Sequence, residues 1–83
     1  RIKANFYSNT DSMKEHGSHR DYHYPHNAAV YSLNTCDGFT RLESGDIIHS
    51  IENRLVIFDG DQIHNSSTTT NQPVRFNLNF NFN

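Results

Sequence analysis

One cysteine, no tryptophan and no long apolar run occur in the 83 residues, and each scarcity removes a class of protein. A lone Cys36 cannot build an internal disulfide framework. Without an apolar stretch of membrane length or a recognisable leader, a soluble, cytoplasmic chain with no membrane partner is expected. Charge of one sign is also missing: seven Lys and Arg stand against nine Asp and Glu, a formal net charge of -2. The basic residues are scattered, so charge gives nucleic acid no support as a partner. Hydrophobic residues make up only 34%, little for a self-sufficient core. A single domain over residues 1–83 is expected. A domain this small buries only about 60% of its unfolded surface, so its stability should be modest. The chain opens on Arg1 rather than methionine, and a fragment or processed piece is expected.

What is present in abundance is period-two alternation, the signature of strands; no convincing helical period occurs. Over residues 74–83, Val74, Phe76, Leu78, Phe80 and Phe82 alternate with Arg75, Asn77, Asn79, Asn81 and Asn83. Further strands are expected over residues 2–7, 18–23, 28–33, 39–42, 46–51, 54–58 and 64–70, with a polar loop over 9–17. Asp37-Gly38 reads as a hairpin signature between two of them, and Asp59-Gly60 as a turn. About eight short strands with turns between them give an all-β sandwich, or a double-stranded β-helix (jelly roll) with almost no residues to spare.

On a strand, residues two apart share a face, so His19 and Asp21 should point the same way. His64 follows a turn that a jelly roll can bring back over the first strands. Two imidazoles and one carboxylate on one face of an iron ion leave the opposite face open for a keto acid and dioxygen. Six histidines in a small chain also produce His-X-Asp pairs by chance. His23 shares the face of His19, so a zinc site of His19, His23 and His64 is a chemical alternative, ranked lower because Pro25 should break the strand there. His16, His26 and His49 read as surface or loop histidines. Arg75 lies on the polar face of the last strand with Asn77 and Asn79. If that face points inward, the guanidinium and the amides need partners that a polar cavity supplies better than a dry core.

These residues resemble the Fe(II)/2-oxoglutarate-dependent dioxygenases, most closely the short prolyl-4-hydroxylase-like subgroup of bacteria and marine phages. The matching stretches are Ser18-His19-Arg20-Asp21-Tyr22, Val30-Tyr31-Ser32-Leu33-Asn34, Asp37-Gly38-Phe39-Thr40, Asn53-Arg54-Leu55-Val56-Ile57-Phe58-Asp59, His64, and Val74-Arg75-Phe76-Asn77-Leu78-Asn79-Phe80. The resemblance implies that His19, Asp21 and His64 bind Fe(II) and that Arg75 binds the distal carboxylate of 2-oxoglutarate, with Asn77 beside it. Asn5-Phe6-Tyr7 resembles the first-strand Asn-X-Tyr of the alkylated-nucleic-acid demethylases in the same superfamily, which implies co-substrate contacts for Asn5 and Tyr7. The implied reaction hydroxylates a C–H bond, of a prolyl residue in a protein or peptide by analogy, and releases succinate and CO2.

Two departures stand out. Tyr31-Ser32 replaces the two adjacent tyrosines common in such hydroxylases, the second of which helps hold the distal carboxylate. The helices that family members pack against the major sheet have no counterpart in this sequence. The Phe76, Leu78, Phe80 and Phe82 stripe is therefore expected to lie exposed and to serve as a partner surface, a homodimer being one form. Two rival readings accompany the oxygenase: a non-catalytic metal-binding jelly-roll module, and a nucleic-acid demethylase.

Overall fold

The strongest alternation in the sequence becomes the longest strand. The structure, a computed structural model, describes residues 1–20 and 22–83. Among the described residues there is no helix, and seven strands form two antiparallel sheets. They are β1 (Ile2–Ser8), β2 (Asn27–Ser32), β3 (Phe39–Leu42), β4 (Ile47–His49), β5 (Leu55–Asp59), β6 (His64–Ser66) and β7 (Val74–Phe82). One sheet has the order β1-β7-β2-β5, the other β4-β3-β6.

β7 sits between β1 and β2, and its two faces are the reverse of a dry-core arrangement. Arg75, Asn77 and Asn81 are buried on the inner face, whereas Phe82 is exposed and Phe76, Leu78 and Phe80 are half-buried on the outer one. Register fixes who meets whom: Tyr7 lies opposite Arg75, Asn5 opposite Asn77 and Lys3 opposite Asn79. On the other side Ser32 faces Asn77 and Val30 faces Asn79. The outer face extends the expected Phe stripe across the sheet, with Ile2, Phe6, Leu55 and Ile57 exposed and Phe6 stacked on Phe76 at 6.0 Å. The apolar core is small: Ala28, Val30, Ile48 and Phe58, flanked by Leu42 and Val56.

Three sequence expectations are corrected. Among the described residues of the stretch 18–23 there is no strand, and only His19 pairs, in a single antiparallel bridge with His64. The stretch Ser18-His19-Arg20 offers no apolar side to bury, so nothing beyond that bridge holds a ladder there. The strand expected over 64–70 ends at Ser66, and its remainder bonds to an incoming loop instead. Asp37-Gly38 makes no hairpin, because β2 and β3 belong to different sheets. The side chain of Asp37 is taken up elsewhere, accepting from Thr70 N at 2.8 Å, from Thr69 Oγ1 at 3.0 Å and from Thr70 Oγ1. The tight hairpin joins β3 to β4, where Gly45 adopts φ of 94°, a conformation that disfavours any side chain.

The polar stretch over residues 9–17 is a strap along the three-stranded sheet. Thr10 N donates to Thr69 O, Thr68 N to Lys14 O, and His16 N to Ser66 O, each within 2.9 Å. Glu15 anchors it: both carboxylate oxygens accept from Arg41 at 3.0 Å, and Asn65 Nδ2 donates to one of them. Those bonds, Arg41's first, hold the Glu15 carboxyl below its ordinary range. A depressed folded-state pKa contributes stability that is present above the unfolded value, about 4.3, and is lost as pH falls through the folded value. Thermal unfolding of wild type and Glu15→Gln should therefore differ at neutral pH, with the variant less stable, and converge in acid below that range. A gap that persists in acid would show that the carboxylate charge is not what anchors the strap.

Candidate functional site

Antiparallel pairing puts three polar rows between the sheets, and the site is built on them. At one end lies Arg75, 1% exposed. Among the described residues no carboxylate bonds to it. Its Nε donates to Ser50 Oγ at 2.7 Å, Nη1 to Ser67 O at 3.0 Å and to Ser66 Oγ, and Nη2 to Thr40 Oγ1 at 3.1 Å. The Tyr7 ring lies under the guanidinium, 5.1 Å from its centre, a cation–π contact. Burial lowers the pKa of Arg75, with Tyr7 and then Cys36 acting in the opposite sense. The charge persists, since guanidinium does not deprotonate in proteins. The interior thus holds a cation surrounded by neutral dipoles. Gly38 makes room for it: a Cβ there would stand 2.4 Å from Arg75 Cδ and 2.9 Å from Thr68 O.

The next row is an amide pair, Asn5 Nδ2 donating to Asn77 Oδ1 at 3.1 Å. Opposite, on the other sheet, stand the two histidines. His19 N donates to His64 O at 3.0 Å and His64 N to His19 O at 2.9 Å, which closes a hydrogen-bonded antiparallel pair. Their rings lie 4.6 Å apart, centroid to centroid, at 55°. His64 is buried; its Nδ1 lies 3.0 Å from Gln62 O, and Phe58 meets its ring edge-on at 5.4 Å. A carbonyl at Nδ1 takes that N–H, which places the ring's lone pair on Nε2.

Both histidines line a cavity of about 120 Å³ together with Asn5, Tyr7, Asn77 and Asn79, with Lys3 and Arg1 toward one end. Arg75 is not part of the lining. Three lining residues, Tyr7, Thr40 and Ser66, are the ones that touch its guanidinium, so its charge sits one layer behind the wall. Of the residues singled out from sequence, His19, His64, Tyr7, Asn5 and Asn77 share this cavity, and Arg75 backs it. Asp21 lies outside the described residues. Among the described residues no group of three or more His, Cys, Asp and Glu is placed to hold a metal, so the zinc set of His19, His23 and His64 is not assembled; His23 is exposed. His26 is also corrected: it is buried, with Nδ1 2.8 Å from Tyr24 O and Nε2 3.0 Å from Asn81 Oδ1. Ser32 points inward at 2% exposure, while its neighbour Tyr31 turns outward and its hydroxyl donates to Asn53.

Sequence reasoning missed the hydroxyl shell of Arg75, since Thr40, Ser50, Ser66 and Ser67 come from scattered segments with no common spacing. It also missed Lys3, although the period of two places Lys3, Asn5 and Tyr7 on one face of β1. Compared with known proteins, the chain matches no family model, no curated protein and no solved structure.

Among the described residues the cavity thus offers two imidazoles and, behind its wall, a guanidinium to which no carboxylate is bonded. Replacing Arg75 by Met should cost about 2–3 kcal/mol, because the hydroxyls and the Ser67 carbonyl lose their donor in a dry setting. Arg75→Lys retains charge but offers no planar fork, so it should recover only part of that loss. Denaturant unfolding of the two variants measures the ordering, and a neutral Arg75→Met would remove the guanidinium from the structural account.

Proposed function

We propose that this chain is the double-stranded β-helix core of an Fe(II)- and 2-oxoglutarate-dependent dioxygenase that hydroxylates a C–H bond. A prolyl residue of a protein or peptide is the candidate substrate, and succinate and CO2 are the co-products. The observation that carries the reading is the pairing of His19 with His64 beside a polar cavity backed by a buried guanidinium. Strand order supports the jelly-roll part. A sheet in the order β1-β7-β2-β5 is accompanied by one in the order β4-β3-β6, and the His19 bridge continues the second sheet past β6.

In this reading His19, His64 and Asp21 hold Fe(II), and Arg75 holds the far carboxylate of 2-oxoglutarate. Bound together, iron and keto acid supply the oxidising chemistry; the protein's own contribution is binding, orientation and exclusion of water. The Asn5–Asn77 pair and Tyr7 shape the channel between the two ends. Thr40 and Ser66 have a gating part, since a carboxylate reaches Arg75 only by exchanging with one of their hydroxyls. Such an exchange replaces a neutral acceptor with a charged, bidentate one, the stronger partner for guanidinium. Both imidazoles must be neutral to bind metal, so binding weakens on acidification.

The same Thr40 and Ser66 bonds favour the rival reading of a binding module, in which Arg75 is purely structural. Anaerobic addition of Fe(II) and 2-oxoglutarate separates the two. The oxygenase reading expects an iron–keto acid charge-transfer absorption band that His64→Ala abolishes and Arg75→Met weakens at least tenfold in 2-oxoglutarate affinity. Folded wild-type protein that gives no band argues for the module.

A further inference from the structure

We infer that the substrate of this site carries a carboxylate and is an acidic peptide segment, received by Lys3 and Arg1 at the end of the cavity away from Arg75. The inference rests on the oxygenase reading and names its substrate class.

Lys3, Asn5 and Tyr7 occupy alternate positions of β1 and line the cavity in that order. Four residues of strand separate the Lys3 row from the Tyr7–Arg75 row, roughly 13 Å, so two cationic ends face each other across the amide row. The Arg75 end is assigned to the keto acid. There the far carboxylate of the keto acid would offset the guanidinium. Lys3 and Arg1 are left over. No Asp or Glu among the described residues lines the cavity to offset them. Lys3 is exposed, and among the described residues its side chain has no hydrogen bond or ion pair. Arg1 is held in place, donating to Tyr22 Oη at 3.1 Å with its guanidinium 5.7 Å above the Tyr22 ring.

Arg1 also lines a neighbouring cavity of about 220 Å³ with Tyr22, Tyr24 and His26. The Tyr22 and Tyr24 rings lie 5.3 Å apart at 32° and provide aromatic faces next to the cationic end. Aromatic faces beside a point charge suit a peptide, whose ring or backbone packs on the tyrosines while a side-chain carboxylate meets the ammonium. A nucleic-acid strand is disfavoured by the same residues' surroundings, since a run of phosphates would extend past two cations over a protein of net charge -2.

The test uses the iron-loaded protein with 2-oxoglutarate and reads peptide-stimulated succinate release. Three prolyl peptide series differ only in flanking Glu, Gln or Lys, and short single-stranded oligonucleotides form a fourth arm. The Glu series should stimulate with an apparent KM about fivefold below the Gln series, the scale of an exposed ion pair. Lys3→Gln should erase that difference while leaving the charge-transfer band intact, and Lys3→Glu should shift preference to the Lys series. Equal response to all three series, no response to the Glu series, or stimulation by oligonucleotides alone overturns the inference. Failure of the band itself in wild type overturns the oxygenase reading instead, so the two failures are distinguishable.

Discussion

A single buried guanidinium organises this small protein. Arg75 has no carboxylate to neutralise it among the described residues, and its bonds run to Ser50, Ser66, Ser67 and Thr40. Those partners come from the three-stranded sheet and the segments flanking it, so one side chain on β7 ties that sheet to the four-stranded one. Burial of a charge is expensive unless hydrogen bonds surround it, which explains why serine and threonine cluster where a dry core would place leucine. Gly38 is part of the same constraint, because only a residue without Cβ fits against the Arg75 stem.

The interior consequently divides into two halves. Around Ala28, Val30, Ile48 and Phe58 it is apolar; around Arg75, Asn77 and His64 it is polar. Among the described residues, twelve buried polar residues against six buried apolar ones is an inverted ratio for a domain core. Among the described residues every buried side-chain nitrogen and oxygen has a partner, so the polar half is built rather than tolerated. The outer face shows the complement of this inversion, with Phe6, Ile57 and Phe82 in contact with solvent.

Legibility followed the period of two. The strict alternation of residues 74–83 announced β7 nearly to the residue, and β3 over residues 39–42 matched its expected limits. What alternation could not reveal is which face turns inward. Hydrophobicity alone points the Phe stripe at the core; the cost of leaving Arg75 and the asparagines without partners in a small cavity turned the strand the other way. Residues 18–23 fail for the opposite reason. Their interest is chemical rather than apolar, and among the described residues of the stretch His19 alone pairs. The hairpin expected at Asp37-Gly38 failed because the Asp37 carboxylate bonds Thr69 and Thr70, far away in sequence. Sequence-local turn rules do not see such partners. The period of two relates Asn5 to Tyr7, but no local spacing relates either to His19, His64 and Asn77, so their grouping about one cavity lies beyond sequence-local rules.

The attachment of the His19 segment bears on how a site of the proposed kind would operate. His64 belongs to β6, three residues long, and His19 to no strand; two backbone hydrogen bonds hold them side by side. Each such bond contributes about 1 kcal/mol net, and Arg20 Nε adds another by donating to Asp61 O at 2.8 Å. The strap before it is fixed by Glu15, and Tyr7 stacks on His16 at 5.3 Å, which limits how far the segment can drift. In the proposed reading, a metal shared by both imidazoles would add to that attachment. Metal binding would then be coupled to ordering of the loop that carries it, with part of the binding free energy expressed as local stability. In the same reading the keto acid end depends less on the loop, because the hydroxyl shell already fixes where Arg75 stands. Keto acid affinity would then be insensitive to the loop, and metal affinity dependent on it.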